Sequence, residues 1–470
     1  MNGVELEKRA RFGVKTVRWN QWQDFELPSG IDVPRSKVSV IIPAKTGQEQ
    51  LDICLAALAG QDYPADLMEV IVVDHGSIPA LRLPEWVPQS YRIVRHEEGK
   101  GPGAARAAGA DRAQGEILMF MDSDIIASRS MVANYVKWPA ALEESLVLGF
   151  RDFIDPVGLS ADDVKSHAQA GTLEELLFPR LGQEGQDWID NFLKRSNDNQ
   201  ANREDLWNVV VGAGLALSRR FYDYIGGFRD FRVHGIEDTE FGFRVFQGGG
   251  VIIPDRACHG YHLGLRAMSV SGEKIKRDRR GLLANYIAHD RTRPRLANAV
   301  WQVPKVRAQI ISLPDDSFET IQATADDLLA SSFTDLGIEI FSQDSTTSLE
   351  LVEYYSANSR VAVLAGSPGA GFPSPFTLRV AAGVKLAVDS VDKILRNALR
   401  DPKGVVAYVA NSDGVSLEFW RTRALSRAGF SSAVSSGDES RQFVREMFGE
   451  SWKSGEEVGI SRPLEEVVAS

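Results

Sequence analysis

The stretch Gly115–Ser128, GEILMFMDSDIIAS, decides the fold of this chain. Its apolar run Ile117–Met121 is unbroken, whereas a strand with one solvated face would alternate, so the run predicts a strand buried on both faces of a parallel sheet. The strand ends at Asp122-Ser123-Asp124. Because residues i and i+2 of an extended chain point the same way, the two carboxylates leave the strand side by side. Open α/β sheets bind their ligands at this end of the strands.

The paired carboxylates suit a hard divalent cation. Mg²⁺ and Mn²⁺ prefer oxygen ligands and keep coordination positions open for substrate phosphates. An isolated Asp-x-Asp is also an ordinary turn after a strand, and for the motif alone that interpretation is the more frequent one. The elements on either side of the motif favour the cation site.

The composition is that of a soluble globular protein, with 43% hydrophobic and 25% charged residues. A chain of 470 residues exceeds one ordinary core, so two domains are expected. The net charge of −11 argues against a broad nucleic-acid surface, because phosphate binding depends on Lys and Arg. The two cysteines, Cys54 and Cys258, lie far apart, which argues against a disulfide scaffold and fits a reducing compartment.

The first 36 residues form an extension before the first strand. Met1–Lys37 lacks the apolar segment of a signal peptide, and no run in the chain is long enough to span a bilayer, so a cytoplasmic protein is expected. The extension mixes basic and aromatic residues, and a peripheral contact with an anionic membrane is one interpretation. Its charged and apolar residues do not separate by face, which favours packing on the first domain.

Strands and helices alternate through the first part of the chain. Lys37–Pro43 and Glu69–Val73 are apolar strand patterns, and Gln50–Gly60 between them has helical apolar spacing. A third short strand, Tyr91–Val94, precedes the Gly-rich turn and helix start at Lys100–Gly109. This alternation with short connections predicts an α/β fold with a parallel, doubly wound sheet, whose strand ends share one crevice.

The segments VSVIIPA, VVDHGS, AARAAG and GEILMFMDSD, in this order and spacing, resemble the nucleotide-binding half of family-2 glycosyltransferases with the GT-A fold. The resemblance implies a mostly parallel sheet of the nucleotide-diphospho-sugar transferase type and a UDP-sugar or related donor. It implies that Asp122 and Asp124 hold Mn²⁺ or Mg²⁺, that Asp74 contacts the base and that Arg106 lies near the uracil or phosphates. The donor-binding residues that it implies are Pro43, Ala44, Asp74, Arg106, Asp122 and Ser123.

One position departs from that family. The family usually has two carboxylates where this chain has Asp74-His75. The departure leaves the identity of the base, uracil or another, open.

The acceptor half follows residues 151–206, a polar and acidic insertion that is expected to cover the site. Val209–Ser218 is an apolar strand pattern in which Gly212 predicts the close approach of a ligand or another backbone. Together with the turn IGGFR, it resembles the acceptor-side strand of the same family. On that basis Trp207 and Gly212 are expected at the acceptor, with Trp207 stacked on a sugar; a lone Trp beside a strand is otherwise a core residue.

Glu237 and Asp238 stand at a predicted helix start, where the helix dipole alone favours acidic residues. The pattern G-x-E-D followed by E-F-x-x-R resembles the E-D motif of galactosyltransferase-type GT-A enzymes. The resemblance makes Asp238 the general base and Glu237 its neighbour that binds the acceptor. A positioned carboxylate can take the proton of a sugar hydroxyl as the new bond forms.

The segment CHGYHL after the next strand resembles the part of related GT-A enzymes that supplies a third metal ligand. His262 is the better match and His259 is the alternative. Imidazole with two carboxylates suits Mn²⁺ somewhat better than Mg²⁺.

The last third of the chain parallels the first in outline. Val306–Leu313 and Leu336–Ser345 parallel the first two strands, and Glu418–Phe430 parallels the acceptor-side strand. The equivalent of the metal-binding strand is expected in Arg379–Val388, which has no Asp-x-Asp. The expected organisation is therefore an extension at 1–36, a GT-A domain at 37–298, a divergent and non-catalytic GT-A-like domain at 299–449 and an acidic tail at 450–470.

The sequence thus predicts a metal-dependent, inverting glycosyltransferase that acts on a hydroxyl of a glycan or glycoconjugate. Two rival classes stay open at this point: a nucleotidyltransferase on a similar sheet, and a non-catalytic glycan- or nucleotide-binding protein. A glycosyltransferase releases nucleoside diphosphate, whereas a nucleotidyltransferase releases pyrophosphate. Turnover distinguishes a glycosyltransferase from a non-catalytic binding protein. The divergent domain could extend the acceptor groove or carry a self-association surface, which would make the protein a homo-oligomer.

Overall fold

The structure is a computed structural model. Its described residues fall into two compact units: one comprises the chain up to Phe246 together with Gly250–Arg280, and the other comprises Gln247–Gly249 together with the chain from Gly281 onward. The described residues are 16–27, 35–45, 47–96, 101–182, 187–233, 235–264, 274, 277–293, 299–411, 414–431, 434 and 436–461.

The first unit is an α/β sheet with helices on both faces. Its strands, in chain order, are β1 Val38–Ala44, β2 Met68–Asp74, β3 Tyr91–Arg95, β4 Ile117–Met121, β5 Ile125–Ala127, β6 Ser145–Ile154, β7 Gly214–Ser218 and β8 Val251–Leu263. Its helices are α1 Gln48–Leu58, α2 Pro102–Ala110, α3 Met131–Ala141, α4 Ala161–Ala170, α5 Leu173–Leu177, α6 Asp187–Arg195, α7 Arg219–Tyr224 and α8 Glu237–Gln247.

The strand order in this sheet is β3-β2-β1-β4-β7-β6-β8-β5. Strands β1 to β4 are parallel to one another, and β6 is parallel to β8. The predicted α/β fold is confirmed, and the sheet is mixed: β7 runs antiparallel to both β4 and β6, and β5 runs antiparallel to β8. The stretch that opened the sequence analysis forms β4, and all five of its residues are buried.

Small residues let α2 approach the sheet closely. Ala105 packs on Ile71 and Val73 of β2. Gly109 lies so near to β1 that an added Cβ would stand 2.4 Å from Ile41 Cγ2. The AARAAG pattern therefore holds α2 against β1 and β2, and this position brings Arg106 to the carboxyl ends of the strands.

Residues 16–27 of the N-terminal extension pack on the first unit; residues 1–15 and 28–34 lie outside the described residues. The fully buried Asn20 side chain donates to the carbonyl oxygens of Asn199 (2.8 Å) and Ile252 (2.9 Å). Its Oδ1 accepts from the Ile252 amide at 2.9 Å. One side chain thus satisfies three backbone groups, so this part of the extension belongs to the folded unit.

The insertion at 151–206 contributes α4, α5 and α6. Val164 of α4 and Leu173 of α5 share an apolar cluster with Ile53 and Ala56 of α1. The insertion is therefore packed on the sheet's own helices.

The second unit is another α/β sheet. Its strands are β9 Val306–Ile311, β10 Leu336–Phe341, β11 Val361–Leu364, β12 Phe376–Ala381, β13 Lys385–Leu386, β14 Val405–Asn411, β15 Gly414–Arg421, β16 Glu450–Ser454 and β17 Ile460–Ser461. Its helices are α9 Arg280–Tyr286, α10 Phe318–Leu329, α11 Ser345–Tyr355, α12 Ser390–Arg400, α13 Thr422–Phe430 and α14 Gly437–Phe448.

The second sheet repeats the first. Its order, β11-β10-β9-β12-β15-β14-β16, matches β3-β2-β1-β4-β7-β6-β8 strand for strand. The directions match as well, because β15 is antiparallel to β12 and β14 while the other pairs are parallel. The predicted second α/β domain of similar topology is confirmed. Chance convergence of a seven-strand order with every direction preserved is a poor explanation.

The register of the repeat identifies equivalent residues. Ile117 donates to the Lys37 carbonyl before β4, and Phe376 donates to the Lys305 carbonyl before β12. Counting five and seven residues onward, Ala381 and Gly383 stand where the first unit has its two carboxylates. Between β11 and β12 the described chain has no helix corresponding to α2, and so no counterpart of Arg106.

The chain after Gly449 is not a loose tail as far as it is described. Glu450–Ser454 forms β16 and pairs in parallel with β14, and Ile460–Ser461 pairs with Lys385–Leu386. The sequence did not indicate these strands because an edge strand with half-exposed residues lacks an apolar run. Residues 462–470 of the predicted tail lie outside the described residues.

In the described part of the chain, no helix combines the length and the apolar character needed to cross a membrane.

Replacing Asn20 with Ala should destabilise the first unit. The change leaves two carbonyls and one amide without their buried partner, at about 1–3 kcal/mol for each group that stays unpaired. Urea unfolding followed by tryptophan fluorescence measures the loss. Gln23→Ala, an exposed change in the same segment, should stay within about 0.5 kcal/mol of the parent. Equal free energies of unfolding for the two variants would contradict the structural role of Asn20.

Candidate active site

The guanidinium of Arg106 occupies the centre of the candidate site. Arg106 is 3% exposed and projects from α2. Its Nη2 donates to Asp122 Oδ1 at 2.8 Å and to the Gly212 carbonyl at 3.1 Å, and its Nη1 donates to Glu237 Oε1 at 3.2 Å. One buried cation thus joins the end of β4, the loop before β7 and the start of α8.

Gly212 connects this cation to the second acidic residue of α8. Its amide donates to Asp238 Oδ2 at 3.1 Å, while the Thr239 amide donates to Asp238 Oδ1 at 2.7 Å. No side chain fits at position 212, because an added Cβ would stand 2.5 Å from Arg106 Nη2. The glycine predicted from the apolar strand pattern therefore permits the close approach of an arginine side chain.

The two acidic residues at the start of α8, Asp238 and Glu237, have different surroundings. Burial, reinforced by the neighbouring Glu237 charge, raises the pKa of Asp238 above its ordinary value. Glu237 is held by the amides of Gly235 (2.8 Å) and Ile236 (2.9 Å) as well as by Arg106. Burial next to another acidic group is an arrangement that shifts the pKa of a carboxyl in many functional sites.

Asp124 and His262 form the other end of the site. His262 Nδ1 lies 3.0 Å from the Gly264 carbonyl, which can only accept, so this hydrogen bond puts the proton of the neutral ring on Nδ1. The Nε2 atom, which carries the lone pair in that neutral tautomer, faces Asp124 Oδ2 at 3.4 Å. Asp124 Oδ1 is buried without a hydrogen-bond partner. Burial, with Asp122 nearby, raises the pKa of the Asp124 carboxyl, although His262 opposes that effect.

The atoms at this end of the site, carboxylate oxygens and an imidazole nitrogen, are of the kinds that bind a divalent cation. Their positions, however, do not form a coordination site. Asp124 Oδ1 has no hydrogen-bond partner, Asp124 Oδ2 lies 3.4 Å from His262 Nε2, and Asp122 is two residues away on the same strand end. Among the described residues, however, no three His, Cys, Asp or Glu side chains are gathered as a ligand set. Asp122 is engaged by Arg106, so coordination by both aspartates requires that ion pair to loosen.

The structure separates the two candidate histidines. In the pairing of β5 with β8, His262 stands opposite Ile125, next to Asp124. His259 instead approaches Asp152, with its Nε2 at 3.2 Å from Oδ2. His262 is therefore the histidine that lies at the strand-end carboxylates.

Asp74, which was expected to contact the base of the donor, is the last residue of β2 and is 1% exposed. Burial alone would raise its pKa, but hydrogen bonds from Ser77, Leu81 and Arg95 outweigh it and lower the pKa of Asp74 to about 2. The carboxylate thus stays charged and fixes the loop after β2. The sequence did not single out Arg95, whose only signal was its place at the end of the neighbouring strand.

Burial lowers the pKa of His75 to about 4, with Lys45 adding to the effect, so this imidazole is neutral near pH 7. Pro43 and Ala44 are buried at the end of β1, where Ala44 pairs with Asp74. Ser123 is partly exposed between the two strand-end aspartates.

Trp207 is a core residue, contrary to the predicted sugar-stacking role. It is 1% exposed, packs edge-to-face on Phe243 with ring centroids 5.6 Å apart, and donates to the Glu204 carbonyl. Its ring has no face open to an acceptor. The aromatic residue that sequence reasoning missed is Phe228, whose ring centroid lies 5.5 Å from the Arg106 guanidinium carbon.

The family assignment rests on a match that spans most of these residues. Residues 39–214 match the protein family described as "Glycosyl transferase family 2". This part of the chain is a glycosyltransferase family 2 domain. The resemblance drawn from the sequence is confirmed there. Glu237, Asp238 and His262 lie beyond the matched residues.

Curated relatives include the glycosyltransferase AglE of Haloferax volcanii, 33% identical over 128 residues, which are 26% of this chain and 42% of AglE. The chondroitin synthase of Pasteurella multocida is 24% identical over 419 residues, which are 80% of this chain and 41% of the synthase. The chain thus spans less than half the length of either relative. Among solved structures, the mannosyltransferase PcManGT of Pyrobaculum calidifontis, in complex with GDP-Man and Mn²⁺, has 19% identity and a TM-score of 0.37, covering 63% of this chain and 74% of its own.

Replacing Gly212 with Ala tests the contact at the centre of the family 2 site. The new Cβ forces the Arg106 guanidinium or the loop to move, which should cost about 1–3 kcal/mol, as overpacking does. Thermal unfolding measures this loss as a lower Tm. Gly281→Ala is the matched control, because a Cβ there meets nothing within 4 Å. An unchanged Tm in Gly212→Ala would show that the loop and Arg106 are not in tight contact.

Proposed function

We propose that this protein is a metal-dependent, inverting glycosyltransferase that moves a sugar from a nucleotide diphosphate sugar to a hydroxyl of a glycan. The observation that carries the proposal is the Arg106 contact, because it joins Asp122 of the family 2 domain to the acidic start of α8 within one site. The matches to a chondroitin synthase and a hyaluronan synthase of Pasteurella multocida support a glycan as the acceptor.

Asp122, Asp124 and His262 would hold the divalent cation, Mn²⁺ or Mg²⁺. The Asp124 Oδ1 atom without a hydrogen-bond partner and the Nε2 lone pair that a neutral His262 offers support this ligand set. A bound cation supplies positive charge for a diphosphate leaving group. The proposed donor contacts at Pro43, Ala44, Asp74, Arg106 and Ser123 line the adjacent strand ends.

Arg106 has a second role in this proposal. A guanidinium that already stands beside Asp122 can turn from that carboxylate to a phosphate oxygen, because both are oxyanion acceptors for its forked donors. The move would release Asp122 for the cation. Arg106 therefore orients the donor and keeps Asp122 neutralised until the donor arrives.

Asp238 is the proposed general base. The amide of Gly212 holds its Oδ2, and the amide and hydroxyl of Thr239 hold its Oδ1, so the second lone pair of Oδ2 would accept the hydroxyl proton. Taking that proton makes the acceptor oxygen a better nucleophile as it bonds to the anomeric carbon. A base on the acceptor and a leaving diphosphate on the opposite side correspond to a single displacement with inversion. Glu237 would bind the acceptor beside it, and Gly212 would line that side.

The second unit is proposed to do no chemistry of this kind. Ala381 and Gly383 stand at the positions equivalent to the strand-end carboxylates, and neither side chain can ligate a cation.

Donor binding should require the cation and Asp124. Nucleotide sugars with Mn²⁺ should raise the Tm of the parent, since a ligand that binds the folded state stabilises it. Asp124→Asn should abolish that shift while leaving the Tm without ligand nearly unchanged. Asp152→Asn is the matched control, because Asp152 faces the other histidine, His259. A lost shift in Asp152→Asn with a normal shift in Asp124→Asn would move the metal site to His259.

Asp238→Asn should lower turnover by roughly two to four orders of magnitude, the range for loss of a general base, and leave donor affinity intact. The assay is release of nucleoside diphosphate; pyrophosphate as the product would refute the glycosyltransferase proposal itself. In the parent, activity should fall as the pH drops through the raised pKa of Asp238, because only the deprotonated carboxylate accepts a proton. Asp230→Asn, the same charge change outside the site, should retain normal turnover. Normal turnover in Asp238→Asn would reduce Asp238 to a helix-start residue.

A further inference from the structure

A cavity of about 120 Å³ lies in the second unit, where β9, β10 and β11 begin. Its walls come from residues 299–302, 304, 307, 334–338 and 359–362. This is the end of the parallel strands opposite to Ala381 and Gly383, so the cavity is not a remnant of the degenerate metal site. It also lies outside residues 39–214, which match family 2.

Arg360 lines this cavity as a cation without a counter-ion. Its Nε and Nη1 donate to the carbonyl oxygens of Leu336 (3.3 Å) and Leu329 (3.5 Å), while its Nη2 is buried without a partner. No carboxylate among the described residues stands within 4 Å of the guanidinium to form an ion pair. Burial lowers the pKa of Arg360, so the cavity holds a partly desolvated positive charge.

Arg307 adds a second unsatisfied donor on the neighbouring strand. Its Nε is buried without a partner, and its Nη1 is 3.5 Å from Glu339 Oε1. Glu339 also accepts from Gln309 Nε2 at 3.1 Å, so it is only a shared and distant partner for the guanidinium. Arg307 and Arg360 thus bring two positive charges to the wall of one small cavity, and Glu339 partly compensates the charge of Arg307.

Asp335, the acidic residue of the cavity wall, is already paired with Arg293. Asp335 accepts two hydrogen bonds from Arg293, at 3.0 and 2.8 Å, and one from the Lys305 amide at 2.8 Å. The negative charge of Asp335 is therefore balanced by Arg293 and not by Arg307 or Arg360. The described wall therefore carries an excess of positive charge, which a negatively charged ligand would balance.

The size of the cavity limits the ligand. At about 120 Å³ it is well below the 300–1,000 Å³ of ordinary ligand pockets, so a nucleotide does not fit. It is several times larger than the volume one water needs, so more than a bare ion can enter. Gly337 keeps the space open, because an added Cβ would stand 2.9 Å from Pro304 Cγ and 3.5 Å from Arg307 Nη1. The half-buried indole of Trp301 offers an apolar wall with a polar edge.

We propose that this cavity binds an acidic saccharide, with the oxyanion of one sugar residue, a carboxylate or a phosphate, held by Arg307 and Arg360. Forked guanidinium donors match both kinds of oxyanion, and the Trp301 wall contacts the sugar body. The second unit then binds saccharide without catalysing its transfer. The site is independent of the proposed cation at Asp122 and Asp124.

Calorimetric titration of the full chain in EDTA tests the site apart from any metal-dependent donor binding. Glucuronate and glucose 6-phosphate represent the two oxyanions, glucose lacks the charge, and inorganic phosphate lacks the sugar. At least one acidic sugar should bind with one site per chain, more tightly than phosphate, and glucose should not bind. The better of the two acidic sugars identifies the oxyanion. Binding of neither acidic sugar, or equal affinity for phosphate and both sugars, would overturn the proposal.

Arg360→Gln should weaken binding of the acidic sugar by about tenfold or more, the usual consequence of losing one charge-assisted hydrogen bond. Arg400→Gln, an exposed arginine of α12, changes the net charge equally and should bind as the parent does. Gly337→Ala narrows the cavity without changing charge and should also weaken binding, which keeps the test decisive if Arg360→Gln fails to fold. Equal affinities in Arg360→Gln, Gly337→Ala and Arg400→Gln would refute the assignment.

Discussion

The buried guanidinium of Arg106 is the constraint around which the first unit is arranged. A charge at 3% exposure is tolerated only when surrounding groups compensate it, and here Asp122, Glu237 and the Gly212 carbonyl do so. Each of these groups belongs to a different element. The small residues of α2 allow the helix to bring Arg106 this deep, and the glycine at 212 leaves the space that the guanidinium fills. The position of β4 relative to α8 therefore depends on one cation as well as on apolar packing.

The sequence predicted the parts of the site that a motif or a period encodes. The unbroken run before Asp122 became a fully buried strand, and His262 was singled out because the segment CHGYHL resembles the part of related GT-A enzymes that supplies a third metal ligand. What the sequence could not reveal were contacts set by burial and direction. The sequence around Trp207 does not indicate whether this residue lies in a core or on a surface. The antiparallel direction of β7 follows a long connection, and no local sequence pattern indicates it. The strand at Glu450–Ser454 escaped notice because pairing with β14, and not hydrophobicity, makes it a strand.

The two units show which features of this topology are structural and which are chemical. Both units have the same strand order, and β15 runs antiparallel to its neighbours in the second sheet as β7 does in the first. These shared features belong to the framework of the sheet. The second unit lacks the two carboxylates, the helix that carries Arg106 and therefore the buried cation itself. Two arginines, Arg307 and Arg360, lie instead at the opposite ends of the strands. The two ends of one sheet can thus differ in their side-chain chemistry while the strand order stays the same.

Gly212 uses its carbonyl to hold Arg106 and its amide to hold Asp238, so a single residue stands between the strand-end acids and the acid of α8. Two events that pull on one residue are linked, and linkage is reciprocal in free energy. Drawing Arg106 away from the loop alters the hold on Asp238, and loading Asp238 with a proton or a hydroxyl alters the hold on Arg106. The consequence is a coupling that passes through one backbone position: ligands that displace the two contacts of Gly212 would change each other's affinity by the same factor, whichever binds first.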